Sequence, residues 1–307
     1  MGASPASALR TNVDRLLQVA VVGEISSPTM PAATYRIGAY GEAEVLAGMG
    51  GITYNVRVGD PALSWVADHV EPGVSLTNRD ERSDKMGGTA RGALTICSCI
   101  GNRSTVLSGE ARGAHGVVTG KHGGIEHVLV DFEVDVLERL AIGDRVQVRG
   151  FGLGLRFEDL PDVRVMNLDP GLLDRIGLER EADVLVVPVT HIVPAVLMGS
   201  GLGGNSGYRG DCDIQLFDPD SVEEYGLAGL RLGDLVAVQD ADHSFGRIYH
   251  RGSVTIGVVA HGSSVLAGHG PGITTIFTSS SGKIRPRLDA AANLADVLER
   301  GRTRPAA

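Results

Sequence analysis

Leu140-Ala141-Ile142-Gly143-Asp144-Arg145-Val146-Gln147-Val148 and Leu230-Arg231-Leu232-Gly233-Asp234-Leu235-Val236-Ala237-Val238 carry the same phrase 90 positions apart. The shared Leu-x-apolar-Gly-Asp-x-Val-x-Val reads as a tight turn feeding an alternating strand. Glycine supplies the turn geometry, and aspartate bonds nearby backbone N–H groups. Two copies point to two β-barrel or sandwich-like halves; the competing reading is that such turns recur by chance in any β protein. On the first reading the chain is mostly β (α+β), with a β-rich domain over 1–165 and a second over 166–307 that ends in a helix.

Outward from these turns the pattern stays β. Strand-like runs cover 94–96, 117–119, 126–133 and 145–148, then 184–187, 192–198, 235–238, 254–259 and 273–277. Short helices are expected after Asn12 and after Asp60-Pro61, Asp169-Pro170 and Asp218-Pro219, where an N-cap acceptor precedes proline at the first helical position. A terminal helix is expected over 288–300, with Leu288, Ala291, Ala292, Ala295 and Leu298 on one face and Gly301 closing it.

Glycine is the compositional outlier, 43 of 307 residues without a collagen-like period, which fits many turns between short strands. A net charge of −9 without a basic stripe excludes a nucleic-acid partner. Cys97, Cys99 and Cys212 are too few for a disulfide framework, and Cys97-Ser98-Cys99 reads as part of a buried strand holding reduced thiols. No signal-like or membrane-length apolar run is present, so a cytoplasmic location without a membrane partner is expected. Short strands with edges to cover suggest a homo-oligomer.

Chemistry-bearing residues gather in four places. Gly120-Lys121-His122-Gly123-Gly124-Ile125-Glu126-His127 puts ionisable groups on a glycine-rich elbow before 128–132; alternation leaves His127 and Asp131 on the wetter face, with Lys121 and His122 at the strand's mouth. Asp68-His69-Val70-Glu71 offers metal ligands or a His–carboxylate pair. The third place joins Asp211-Cys212-Asp213 to Asp240, Asp242 and His243 at a strand end, where the paired carboxylates can bind a divalent ion or one can act as general base, and 199–205 is rich in N–H donors for an oxyanion. His261-Gly262-Ser263-Ser264 and Gly268-His269-Gly270 form the fourth. No nucleophile elbow or reactive cysteine loop is found; His115 and His250 read as structural and His191 as a core residue.

The stretches 50–60 and 67–73, with Gly120-Lys121-His122-Gly123-Gly124 and Gly268-His269-Gly270-Pro271-Gly272, resemble the prokaryotic domain-of-unknown-function family number 4438 over nearly the whole chain. That resemblance implies no activity. A second resemblance, to the acetamidase/formamidase family, is confined to Gly203-Gly204-Asn205 before Asp211 and Asp213, and to Gly233-Asp234 leading to Gln239-Asp240-Ala241-Asp242. The histidine that family carries after its Gly-Asp is absent here, with Val236 or Ala237 near that position. This resemblance implies amide hydrolysis.

The expected function is a metal-dependent hydrolase cutting an amide or lactam C–N bond of a small polar molecule. In that scheme Lys121, His122, Glu71 and Asp242 act in catalysis. Gly203, Gly204, Asn205, His127 and His269 hold substrate, while His69, Asp240 and His243 bind a divalent ion such as zinc. A non-catalytic metabolite- or ion-binding protein, or a metal-assisted isomerase or lyase, remains open at this stage.

Overall fold

The computed structural model describes residues 9–30, 33–80, 82, 88–203 and 207–299. The protein is mostly β and built in two halves. In the first half, Val19–Ile25, Arg145–Gly150, Arg103–Val106, His115–His122, His127–Asp131 and Gly73–Thr77 pair antiparallel in that order. Gly73–Thr77 returns to Val19–Ile25 and closes a six-stranded barrel. Its interior is filled by Ile25, Val74, Leu76, Val118, Val128, Val130, Phe132, Val146 and Val148. In the second half, His191–Pro194, Leu235–Asp242, Ile248–His261, Gly272–Ser279, Cys212–Ile214 and Met198–Gly201 form a half-barrel with an apolar cluster on each face. A three-stranded sheet of Glu179–Glu181, Val184–Val189 and Ile284–Leu288 completes this half.

The repeated turn has one geometry in both halves. Gly143 and Gly233 have φ of +89° and +84°, where a side chain would be strained. Asp144 Oδ2 accepts the Ala141 N–H at 2.9 Å and Asp234 Oδ2 accepts the Arg231 N–H at 2.8 Å, and each turn opens a strand.

The halves touch through the outer face of the elbow hairpin. A Cβ at Gly120 would lie 2.5 Å from Ala260 Cβ, so the missing side chain lets Ile248–His261 lie against the barrel wall. The structure corrects one expectation: His127 and Asp131 are not on a wet face but 2% exposed, because residues 50–71 of the same half lie over them: His127 Nδ1 is 3.0 Å from Glu71 Oε2, and Arg57 pairs with Asp131 at 3.2 Å. Lys121 and His122 likewise lie inside a buried strand rather than at an open mouth.

Local expectations met mixed outcomes. Asp218 caps Pro219–Glu224 and Asp169 caps the 3-10 turn Pro170–Leu172, both with proline at the start. No helix follows Asp60-Pro61; Asp60 Oδ2 accepts the Arg57 N–H and Pro61 bridges to Arg231. Asn12 precedes only the 3-10 turn Val13–Arg15 and spends its amide on Gly154 and Arg156 instead of capping. Residues 94–96 are helical within Ala90–Cys97, capped by Thr89 Oγ1 accepting from Gly92 N–H, so Cys97 ends a helix. At the C-terminal end, Leu288 closes a strand and the helix is only Leu294–Val297. Asn293 interrupts the helical pattern: its side chain bonds Leu232 O and Asp234 Oδ1 and caps the Ala295 N–H. Among the described residues no helix is long and apolar enough to cross a membrane.

Asp234 is fully buried and accepts from the Arg231 backbone, the Arg231 guanidinium and Asn293. Asp234→Ala orphans these donors and is expected to lower stability by about 2–4 kcal/mol, read as a drop in the urea midpoint at unchanged slope.

Candidate metal centre

Nine ionisable residues meet where the two halves join. From the first half, His69 sits in a turn with φ of +54°, an unfavoured conformation for a residue with a side chain, and donates its N–H to Ser263 O of the second half at 2.8 Å. Asp68 precedes it, and Glu71 lies just before the strand Gly73–Thr77. His122 ends one strand of the elbow hairpin and pairs with His127 at the start of the next. From the second half, Asp213 lies in Cys212–Ile214 and Asp211 just ahead of it. His261 ends Ile248–His261, and His269 belongs to the following loop.

The His122 and His261 ring centroids are 4.1 Å apart, and His69 lies 5.1–5.4 Å from His122, His261 and His269. Two donor trios result, His122/Asp211/His261 and His69/Asp213/His269, each with its ligand atoms within 4.8 Å of one another. His69 Nε2 is 3.1 Å from His269 Nδ1, which is 3.1 Å from Asp213 Oδ2. Ligands on a tetrahedral ion with Zn–N bonds of about 2.0–2.1 Å stand about 3.3 Å apart, so these edges are close to those of a coordination polyhedron. Gly272 makes the inner trio possible: a Cβ there would lie 2.0 Å from Asp211 Oδ2 and 2.1 Å from His261 Nε2.

Behind the rings stands a layer of acceptors. Asp68 Oδ1 is 3.0 Å from His69 Nδ1, Glu71 Oε1 is 2.5 Å from His122 Nδ1, and Gly262 O is 2.9 Å from His261 Nδ1. Acceptors on Nδ1 direct Nε2, with its lone pair, toward the shared space, the arrangement that orients metal-binding histidines. Burial works to raise the Glu71 pKa, but hydrogen bonds from His122 and His127 hold it well below the ordinary value. Asp68 is lowered to about 2: against its burial act hydrogen bonds from His69 and Ser264 and the charge of Arg36, whose guanidinium is 3.0 Å away. Burial and the neighbouring imidazoles His261 and His122 lower His69, against the pull of Asp68. His261 goes the other way, to about 9; burial opposes it, and Asp211 and Asp213 overcome burial. The two carboxylates thus favour positive charge at the centre, and none of the donors is a thiolate, which suits imidazole- and carboxylate-binding divalent metals.

Of the residues singled out from sequence, His69, Glu71, His122, His127 and His269 come together here. Lys121 does not: strand alternation points it the other way, where Nζ donates to Asn167 Oδ1 and Tyr208 O, and burial lowers its pKa to about 8. Asp240 has φ of +58° at a bulge and accepts the Gly252 N–H; Asp242 accepts from Ser244 and Thr278; His243 Nδ1 bonds Thr275 Oγ1. Neither donor trio contains these three. Gly203 is exposed, and Gly204 and Asn205 lie outside the described residues.

Two family models match consecutive stretches of the chain: Domain of unknown function (DUF4438), N-terminal, over residues 35–174, and DUF4438, C-terminal, over residues 175–298. The chain belongs to the DUF4438 family. The crystal structure of TM1086 is similar to it at 46% identity and a TM-score of 0.87, covering 94% of this chain and 98% of that one. No curated protein matched the chain. Asp68, His69, Glu71, His122 and His127 fall in the N-terminal DUF4438 unit, and Asp211, Asp213, His261 and His269 in the C-terminal one.

Asp211, Asp213 and His261 were visible in the sequence but not assigned as ligands. The signal was there: Asp-Cys-Asp is an i, i+2 pair on one face of a strand, and His261 and His269 bracket one loop.

His243 yields a pH test apart from the centre. The ring is fully buried, its Nε2 finds no hydrogen-bond partner among the described residues, and burial lowers its pKa from 6.5 to about 4. Between those values the unfolded chain binds a proton that the folded one does not. This contribution is therefore complete above pH 6.5 and lost as pH falls toward 4, by at most about 3 kcal/mol. Urea unfolding from pH 7 to 4 is expected to show that loss in the wild type and a shallower one in His243→Asn.

Proposed function

We propose that the protein is a metal-dependent hydrolase acting on a small polar molecule, with an amide or lactam C–N bond as the bond cleaved. The observation that carries this reading is the convergence of four imidazoles and two carboxylates, with His122 and His261 held by acceptors on Nδ1 and His69 Nδ1 facing Asp68 Oδ1 at 3.0 Å. A divalent ion held there would polarise a carbonyl and lower the pKa of a bound water to near neutrality.

The chain's own residues do the remaining work. Asp68 and Glu71 strengthen His69 and His122 as donors and fix their tautomers. His269, with 35% of its side chain exposed, marks the face from which a substrate reaches the centre, while His122, Asp211 and His261 lie deeper. Water adds to the carbonyl carbon, the C–N bond breaks, and the proton that water gives up goes to the leaving nitrogen. The amide class is supported by the resemblance of 203–213 and 233–242 to acetamidase/formamidase, since Asp211 and Asp213 are donors at the centre.

One observation favours a second reading, an ion that staples the halves without turnover. Five of the six donors are 7% exposed or less.

Purified protein is expected to contain divalent metal by elemental analysis and to lose hydrolysis of small amides on chelation, with recovery on adding metal back. Bound metal without turnover across an amide and lactam panel would favour the staple. Absence of metal from protein purified with metal supplied would sink both readings.

Glu71→Gln keeps the shape but weakens the acceptor behind His122. It is expected to reduce metal affinity about 10–100-fold in a chelator competition assay. Asp242→Ala, whose partners are Ser244 and Thr278, is expected to leave that affinity unchanged.

A further inference from the structure

We propose that the centre holds two divalent ions, an inner one on His122, Asp211 and His261 and an outer one on His69, Asp213 and His269, with the Asp213 carboxylate shared between them. This rests on the metal reading above and extends it from one ion to a pair.

The first observation is the orientation of Asp213. Its Oδ1 lies 3.7 Å from His261 Nε2 in the inner trio, and its Oδ2 lies 3.1 Å from His269 Nδ1 in the outer trio. One carboxylate presenting one oxygen to each donor set is the arrangement that bridges two-metal sites, where the ions stand about 3.5–4 Å apart. Six donors also exceed what one tetrahedral ion uses, and they divide three and three, which leaves each ion positions for water or substrate.

Charge is the second observation. Asp68, Glu71, Asp211 and Asp213 are each 4% exposed or less, and among these four Arg36 pairs with Asp68 alone. With the imidazoles neutral, the form in which they ligate a metal, the set carries three net negative charges. A single divalent ion leaves one buried negative charge uncompensated. Two divalent ions sharing one hydroxide leave none, and uncompensated buried charge is strongly disfavoured.

Access separates the two positions. His261 is fully buried, Asp211 is 3% and His122 7% exposed, whereas the outer trio includes His269 with 35% of its side chain exposed. The outer ion exchanges with solvent and meets substrate, and the inner ion is reached only past it. Loading runs inner first, and chelation removes the outer ion first.

The test uses full-length protein stripped with chelator and titrated with Mn²⁺, followed by elemental analysis and electron paramagnetic resonance. Two equivalents are expected to bind. The first should give the spectrum of isolated Mn²⁺, and the second should convert it to that of a spin-coupled pair. His269→Ala is expected to bind one equivalent and show no coupling. His269→Gln, which retains bulk at this half-exposed position, is expected to behave likewise. Saturation at one equivalent in wild type and variants alike overturns the pair and leaves the metal reading standing. Two equivalents without coupling overturn the shared Asp213. No binding at all overturns the metal reading itself.

Discussion

Glu71 is a carboxylate with no exposure to water, and the rest of the centre is arranged around keeping it ionised. It accepts from the Gly50 N–H at 2.6 Å, the Ser75 hydroxyl at 2.5 Å, and the rings of His122 and His127. A buried charge missing any of these partners would be costly, so each bond is also a structural constraint. The Gly50 bond holds the glycine turn against the barrel. The two histidines require the hairpin to pair His122 with His127. His122, bonded through Nδ1, presents its other nitrogen to the second half. One ion-dipole network therefore fixes a strand register, a loop and a ligand.

The second constraint is close approach. Gly120 admits Ala260, Gly272 makes room for Asp211 and His261, and Gly48 has no space for a side chain beside the Asp68 carbonyl, where a Cβ would lie 2.0 Å away. At these positions the abundant glycine is needed because another chain segment occupies the volume a side chain would take. Turn geometry explains Gly143 and Gly233; contact between the halves explains Gly120, and packing within the second half explains Gly272.

Legibility in the sequence followed the range of the interactions. The Gly-Asp turns were readable because both bonding partners lie within three residues, as were the aspartate–proline starts at Pro170 and Pro219. The step at Asp60-Pro61 misled because Pro61 is taken up by a bridge to Arg231, a contact invisible in local spacing. Residues 94–96 were ambiguous between helix and strand, and Thr89 five residues upstream carried the deciding cap. The terminal periodicity was interrupted by Asn293, whose partners lie 59 and 61 positions away. At the centre, local clustering found His69 with Glu71 and His122 with His127. It misassigned Lys121, which alternation turns to the opposite face, and it singled out His261 without giving it a role, since only the half-barrel brings that ring within 4.1 Å of His122.

The centre draws its donors from both sides of the junction, and this bears on how such a chain can be rearranged. His69 and His122 come from one half, and Asp211, Asp213, His261 and His269 from the other. Neither half taken alone keeps a full ligand set. The halves are consequently not interchangeable modules: a fusion that transplants either one to a foreign neighbour carries away an incomplete coordination sphere, however well the transplanted barrel folds.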